Sequence, residues 1–371
     1  VITALIIIFV LCLLISSAGF VFVSHGCFKA LRQRTRINDL QPVTVIVAAH
    51  NEAHNIGTLF DSLNKQKYPF ELLHVLLVDD RSTDGSTEVA RSAAGDLSLD
   101  IIRIEDTPDA VSPKKFALHT GIQHASTELL LFTDADCRPS QGWVRSMVAT
   151  LRDDADVVVG CAPLRPTHTR ASRYAAYESY RTAAFMIAAT AQSLPYMATG
   201  RNWAYKKSTY VAGPGLPASY SILGGDDDLL MQQFVRDGAV VRCCCDHDAL
   251  VWSDAAQDMR HLVRQKLRHY SVSNNYRGTA SVLLALHTGA QVAAVLLAML
   301  SVAACCTGRT ELLLPAVGVV WMCWFNSAFL RPLFKHFKVE MSRWSMTGFE
   351  FMHIIFSTLI GITSFVKPPR W

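Results

Sequence analysis

The sequence predicts an α/β domain with a mostly parallel sheet, set between one N-terminal and about three C-terminal membrane-crossing helices. Three observations carry this expectation. Charge-free stretches run from Val1 to Ser24, from Ala280 to Gly308 and from Leu312 to Leu330, and a fourth apolar run extends from Phe351 to Val366. Each approaches the roughly 20 residues that cross the hydrocarbon core of a bilayer. Between them, short apolar runs alternate with helical patterns, which argues for strands joined by helical crossovers. Polar clusters stand at the carboxyl ends of those runs, where parallel sheets bind their ligands.

The first segment, residues 1–24, is too long for the apolar core of a signal peptide and lacks a basic leader, so a membrane helix is expected. Lys29, Arg32, Arg34 and Arg36 follow it, and Arg331, Lys335, Lys338 and Arg343 follow the third segment, whereas only Arg309 lies between the second and third. Basic flanks mark the cytoplasmic side. The 42–279 region and the 331–348 loop are therefore expected in the cytoplasm of an integral, bacterial inner-membrane protein. Lys367 and Arg370 pull the other way if the last run spans. That run is short and contains His353, so an interfacial or hairpin placement stands as its alternative.

In residues 42–257, Val43 to Ala49 is a continuous apolar run suited to a strand buried on both faces. Asn55 to Lys67 reads as a helix, Leu73 to Val78 as a strand, Thr83 to Ala94 as a helix and Ile101 to Ile104 as a strand. Lys115 to His124 is then helical, and Glu128 to Phe132 is a strand that ends at Asp134 and Asp136. Residues 258–279 form a basic amphipathic stretch expected at the membrane surface, and residues 280–366 form the C-terminal membrane region. The net charge of +4 is spread mainly over membrane flanks and this one basic stretch, which does not suggest a nucleic-acid binder. Ten cysteines include no CxxC pair, so no zinc site is expected.

Four clusters have the residue types for chemistry. In Thr133-Asp134-Ala135-Asp136, two carboxylates at i and i+2 can reach one hard cation, magnesium or manganese, shared with substrate phosphates; a solvated acidic turn is the plain alternative. In Val78 to Ser86 (VDDRSTDGS), Asp79 and Asp80 can accept bonds from a base or ribose while Ser82 to Asp84 start a helix. Lys114 and Lys115 precede a helix and suit phosphate charge, or are an ordinary surface pair. In SILGGDDDLLMQQF, Asp226, Asp227 and Asp228 follow two glycines. They can bind a metal, take a proton or open a helix, whose N-terminus favours negative charge.

The order AAHNE, VDDRSTDGS, KKFAL, TDAD, GRNWAYKK, GGDDDLL and QKLRH resembles glycosyltransferase family 2, inverting enzymes with the GT-A (nucleotide-diphospho-sugar transferase) fold, over about Val43 to Tyr270. The membrane layout is similar to that of the family's membrane-bound branch. The resemblance implies a Rossmann-like domain that moves a sugar from a nucleotide sugar, expected to be UDP-linked, to a lipid or polysaccharide acceptor. It implies that Ala49, Asn51 and Glu52 contact the nucleotide and that Asp80, with Asp79 beside it, binds the nucleoside. It further implies that Lys114, Asp134, Ala135, Gln265 and Arg268 hold the donor, with Mg2+ or Mn2+ on Asp136 and Asp134. Gly200, Asn202 and His269 are expected along the sugar and acceptor pocket. The family's acidic motif places the catalytic base at Asp226, with Asp227 as its neighbour alternative and Asp228 in support. Gly225 stands where glutamate is common, and His269 where tryptophan is common. Losing that tryptophan removes a stacking surface and argues against long-chain synthesis. The Tyr- and Ala-rich segment from His168 to Gln192 is expected to line the acceptor entrance.

A processive polysaccharide synthase is the alternative within the family, and an inactive nucleotide-binding membrane scaffold is the alternative outside it. A sugar-nucleotide pyrophosphorylase is disfavoured because AAHNEAHNI lacks that class's glycine-rich phosphate loop.

Overall fold

The computed structural model describes residues 2–32, 40–152, 155–222, 224–273, 275–305 and 314–366. The flanking residues Arg34, Arg36, Arg309, Lys367 and Arg370 lie outside them. In chain order the elements are α1 (Ile2–Leu31), β1 (Val43–Ala49), α2 (Ala53–Leu63), β2 (Leu73–Asp80), α3 (Ser86–Ala93), β3 (Ser98–Ile104), α4 (Pro113–His124) and β4 (Leu129–Phe132). There follow β5 (Arg138–Pro139), α5 (Trp143–Arg152), β6 (Val157–Gly160), β7 (Leu164–Arg165), α6 (Arg170–Ala191), β8 (Trp203–Lys206) and α7 (Lys207–Val211). The chain continues through α8 (Asp228–Arg236), β9 (Val241–Cys244), β10 (Val251–Asp254), α9 (Met259–Ser273), α10 (Thr279–Cys305), α11 (Leu314–His336) and α12 (Arg343–Val366).

The main sheet has seven strands in the order β3-β2-β1-β4-β8-β6-β9. β1 pairs in parallel with β2 and β4, β2 with β3, and β6 with β9, while β8 runs antiparallel between β4 and β6. The expected mostly parallel sheet is thus present, with one reversed strand. Side chains alternate across it. Val43, Val45 and Val47 enter a core with α2 and α5, whereas Ile46, Leu76 and Leu130 face the opposite side. A small second sheet, β5-β10-β7, sits beside the first.

The opposite-side core does not stop at the edge of the α/β domain. Ile46, Phe132 and Trp203 share one buried cluster with Tyr177, Ala184 and Ile187 of α6, with Phe20, Val23 and Cys27 of α1 and with Phe334 of α11. α6 is the joint, and this corrects the expectation for His168 to Gln192. Its tyrosines point inward, Tyr174 towards His353 and Tyr177 to Glu350, instead of lining an entrance. Thr169 caps the helix by accepting from the Ser172 amide.

Among the described residues, four helices are long and apolar enough to cross a membrane, within α1, α10, α11 and α12. The last is longer than the apolar run suggested, because it starts eight residues earlier, at Arg343. The polar residues of that added stretch find partners: the Arg343 guanidinium lies 3.4 Å from the centre of the Trp324 ring, and Glu350 is buried against α6.

Candidate active site

The ends of β1, β2 and β4 and the loop before α8 converge on one cleft. The first two loops are tied together. The Asn51 amide donates to Ser82 Oγ at 2.9 Å, Asn51 Oδ1 accepts from the Thr83 amide at 2.9 Å, and the Glu52 amide donates to Ser86 Oγ at 2.8 Å. Asn51 adopts φ 55°, a left-handed conformation that asparagine tolerates better than most residues. Ala49 and Ala135 are buried, so they can offer a ligand only their backbone.

Strand alternation separates the two neighbouring aspartates. Asp79 is fully buried, accepting from the Ser82 amide at 3.0 Å and from Arg103 Nη1 at 3.1 Å. Its oxygens are engaged within the fold, which corrects the expectation that both carboxylates meet the ligand. Asp80 lies at the cleft edge, paired with Arg81 Nε at 2.8 Å.

The two remaining acidic clusters meet at Lys114. Its Nζ lies 3.0 Å from Asp134 and 3.2 Å from Asp226. Burial pulls its pKa down, but the charges of Asp134 and Asp226 outweigh that and hold it above the usual range. Burial alone would raise Asp226, and the Lys114 charge more than reverses this, so Asp226 stays ionised. Asp227 is pushed up by burial and by the charge of Asp226, and Asp228 by burial and by Asp227.

Hydrogen bonding distinguishes the three further. Asp227 caps α8, accepting from the Asp228 amide at 2.8 Å and from the Gly200 amide at 2.6 Å. Asp228 accepts from the Ala198 amide at 3.2 Å and from the Tyr276 hydroxyl. Asp226 has one direct side-chain partner among the described residues, Lys114. Gly224 and Gly225 both take positive φ, 78° and 68°. A Cβ at Gly225 would fall 2.6 Å from Val272 of α9. That contact gives a physical reason for glycine at this position: a larger residue would push α9 off the acidic loop.

α9 contributes the opposite wall. Arg268 packs beside Gly224, Gln265 is half-buried, and His269 is open to solvent. Protein crowding behind His269, together with the charges of Lys266, Arg268, Arg201 and Lys114, holds its imidazole neutral. Asn202 does not line the cleft. It is fully buried, accepting from Trp143 Nε1 at 2.8 Å and donating to Cys161 O and Ala249 O at 2.7 and 2.9 Å. It pins α5 to the sheet, whereas Gly200 reaches the acidic loop through its amide.

Asp134 and Asp136 fit a hard divalent cation. Asp136 is half-buried, has no ion-pair partner among the described residues, and is pushed up by burial and by the charge of Asp134. A cation would relieve that repulsion. No three potential protein ligands gather among the described residues, so its other ligands would come from phosphate oxygens and water.

Two contributors, Arg201 and Tyr276, escaped sequence reasoning, and a third, Lys115, was expected to meet phosphate charge but is used within the fold. Arg201 is anchored on Ser253 Oγ and Ala162 O. Tyr276 holds Asp228. Lys115, fully buried, donates to Ser219 O, Ser219 Oγ and Ile222 O at 2.8, 2.9 and 3.0 Å, fixing the segment that leads into the acidic loop. Arg201 sits inside GRNWAYKK and had a local signal; Tyr276 lies 48 residues from its partner and had none.

The sequence model of the family described as Glycosyl transferase family 2 matches residues 44–212. Glycosyltransferase AglE of Haloferax volcanii is 38% identical over 120 residues, covering 32% of this chain and 38% of its own. The 4,4'-diaponeurosporenoate glycosyltransferase of Staphylococcus aureus is 34% identical over 106 residues, covering 29% of this chain and 27% of its own. The chain thus spans well under half the length of these curated relatives. Among solved structures, the mannosyltransferase PcManGT from Pyrobaculum calidifontis, in complex with GDP-Man and Mn2+, superposes with a TM-score of 0.61 at 20% identity, covering 96% of this chain and 99% of that one. At that identity the likeness is one of fold, and it extends through the membrane helices. Residues 44–212 are thus similar to glycosyl transferase family 2.

Proposed function

We propose that the protein transfers a sugar from a nucleotide sugar to a hydroxyl on a lipid or other membrane-associated acceptor, with inversion at the anomeric carbon and Asp226 as general base. The observation that carries this reading is the asymmetry of the acidic loop. Asp227 and Asp228 are committed to amides and a hydroxyl, whereas Asp226 is ionised and, among the described residues, held only by Lys114. The nucleotide-sugar ligand of the like-folded PcManGT supports a donor of that class.

In this mechanism the loops of Asn51, Glu52 and Asp80 receive the nucleoside. A divalent cation on Asp134 and Asp136 would stabilise the charge of the departing diphosphate. Lys114 and Arg268 add positive charge where the leaving group becomes negative. Asp226 takes the proton of the acceptor hydroxyl as its oxygen bonds to the anomeric carbon and the sugar–phosphate bond breaks towards the diphosphate. Holding both substrates in one cleft supplies much of the remaining acceleration. The adjoining membrane helices favour an apolar acceptor, with the catalytic region on the cytoplasmic side.

The test incubates membranes containing the full chain with labelled UDP- and GDP-sugars, with Mn2+ or a chelator, and then extracts lipids. Label in the organic phase that disappears on chelation is the expected result. Label confined to a water-soluble polymer would favour the synthase. Absence of both transfer and nucleotide-sugar hydrolysis across the panel would leave only the scaffold.

A further inference from the structure

Away from the aspartates, a groove of about 420 Å³ opens where the first turn of α6, the start of α9 and the N-terminal part of α12 meet. Met259, Phe349 and Met352 form its apolar surface, and Arg170 and Arg173 stand along it. Both arginines are exposed, and neither side chain makes a hydrogen bond or ion pair with a described residue. Phe349 and Met352 rest on the buried cluster of Tyr174 and Leu262, which makes the floor firm; the Tyr174 and Phe349 ring centres are 6.0 Å apart. At Gly348 a Cβ would meet nothing within 4 Å, so the groove remains open there. None of Lys114, Asp134, Asp226 and Arg268 lines it.

We propose that this groove binds an anionic phospholipid of the surrounding leaflet. Its phosphate sits between Arg170 and Arg173, and an acyl chain lies along Met259, Phe349 and Met352. Two uncompensated guanidinium groups call for a ligand with net negative charge, and their planar forks match phosphate oxygens. The positive end of the 22-residue α6 helix adds to the same field. The apolar surface next to them calls for a chain on the same molecule. The amphipathic α9 and the long apolar α12 both begin here, and with α12 spanning a bilayer this end would lie where headgroups give way to acyl chains. The proposal rests on the membrane placement of α12 and not on the identity of the glycosyl acceptor.

The test uses the full chain in detergent, titrated with phosphatidylglycerol and phosphatidylcholine and read by native mass spectrometry. The variants are R170A/R173A and G348L, with nucleotide-sugar binding as the check on folding. Wild type is expected to prefer phosphatidylglycerol, and the double arginine variant to bind it about tenfold more weakly, as befits two lost charge-assisted contacts. G348L is expected to lower the affinity for both lipids by filling the groove while leaving its charge intact. Equal binding of the two lipids by wild type, or wild-type binding by either variant, would overturn the proposal. So would a G348L protein with unchanged phospholipid binding and a raised acceptor KM, which would assign the groove to the acceptor. Because the readout is binding, its failure is separate from failure of the transfer reaction.

Discussion

Asp226 and Glu350 are both carboxylates paired with a basic side chain, but their surroundings differ. Glu350 is fully buried between α12 and α6, where it accepts from the Tyr177 hydroxyl at 2.6 Å and from Arg181 Nε at 3.1 Å. The Arg181 side chain is itself only 9% exposed, so water cannot replace either partner. Asp226 pairs with Lys114, whose side chain is 43% exposed and is shared with Asp134. In the proposed mechanism, a substrate entering the cleft takes over the Lys114 charge and releases Asp226 for proton transfer. One ion pair locks two parts of the fold together, and the other is poised for exchange.

Substituting these residues tests that contrast. Asp226→Asn should lower the transfer rate by about 10²–10⁴-fold, the span usual for a lost general base, with nucleotide-sugar affinity near wild type by titration calorimetry. Full activity in this variant would move the base elsewhere. Glu350→Ala leaves Arg181 buried without its counterion and should destabilise the protein by about 3–5 kcal/mol, read as a lowered midpoint of thermal unfolding in detergent. If the midpoint is unchanged, the membrane joint is held by apolar packing alone.

Lys114→Met addresses how Asp226 stays ionised. With the lysine present, the carboxylate is held below the ordinary range near 4. Without it, burial raises the pKa, protonation begins at higher pH, and the acid limb of the kcat profile should move upward. A profile that only scales down would show that Lys114 serves the donor and not the base. The smallest effect is expected for Tyr276→Phe, which removes one hydrogen bond to Asp228 worth about 1 kcal/mol. A fall of about fivefold in kcat with unchanged donor KM would mark Tyr276 as a positioning residue.

Much of the catalytic half was legible because its signals are local. Apolar runs such as Val43 to Ala49 mark buried strands, and the polar residues after them mark the ligand edge, since a parallel sheet turns each strand end to the same side. Asn51, Glu52, Asp80 and Asp134 stand at the carboxyl ends of β1, β2 and β4. The misplacements came from properties that motif order does not encode. Asp79 and Asp80 are adjacent, so strand alternation had to send one of them inward. Asn202 shares a motif with Gly200, yet its amide is consumed by Trp143, Cys161 and Ala249. α6 reads as a mildly polar helix, yet its Arg181, Tyr174 and Tyr177 have buried partners more than 100 residues away.

The sequence by itself determined the long apolar helices, the α/β pattern and the acidic loop with its two glycines, because charge-free length, strand periodicity and local backbone chemistry act over neighbouring residues. The tertiary structure decided which of Asp226, Asp227 and Asp228 is bonded to backbone amides and a hydroxyl and which pairs with Lys114. That choice depends on Lys114, Gly200, Ala198 and Tyr276, groups that only folding brings to the same loop.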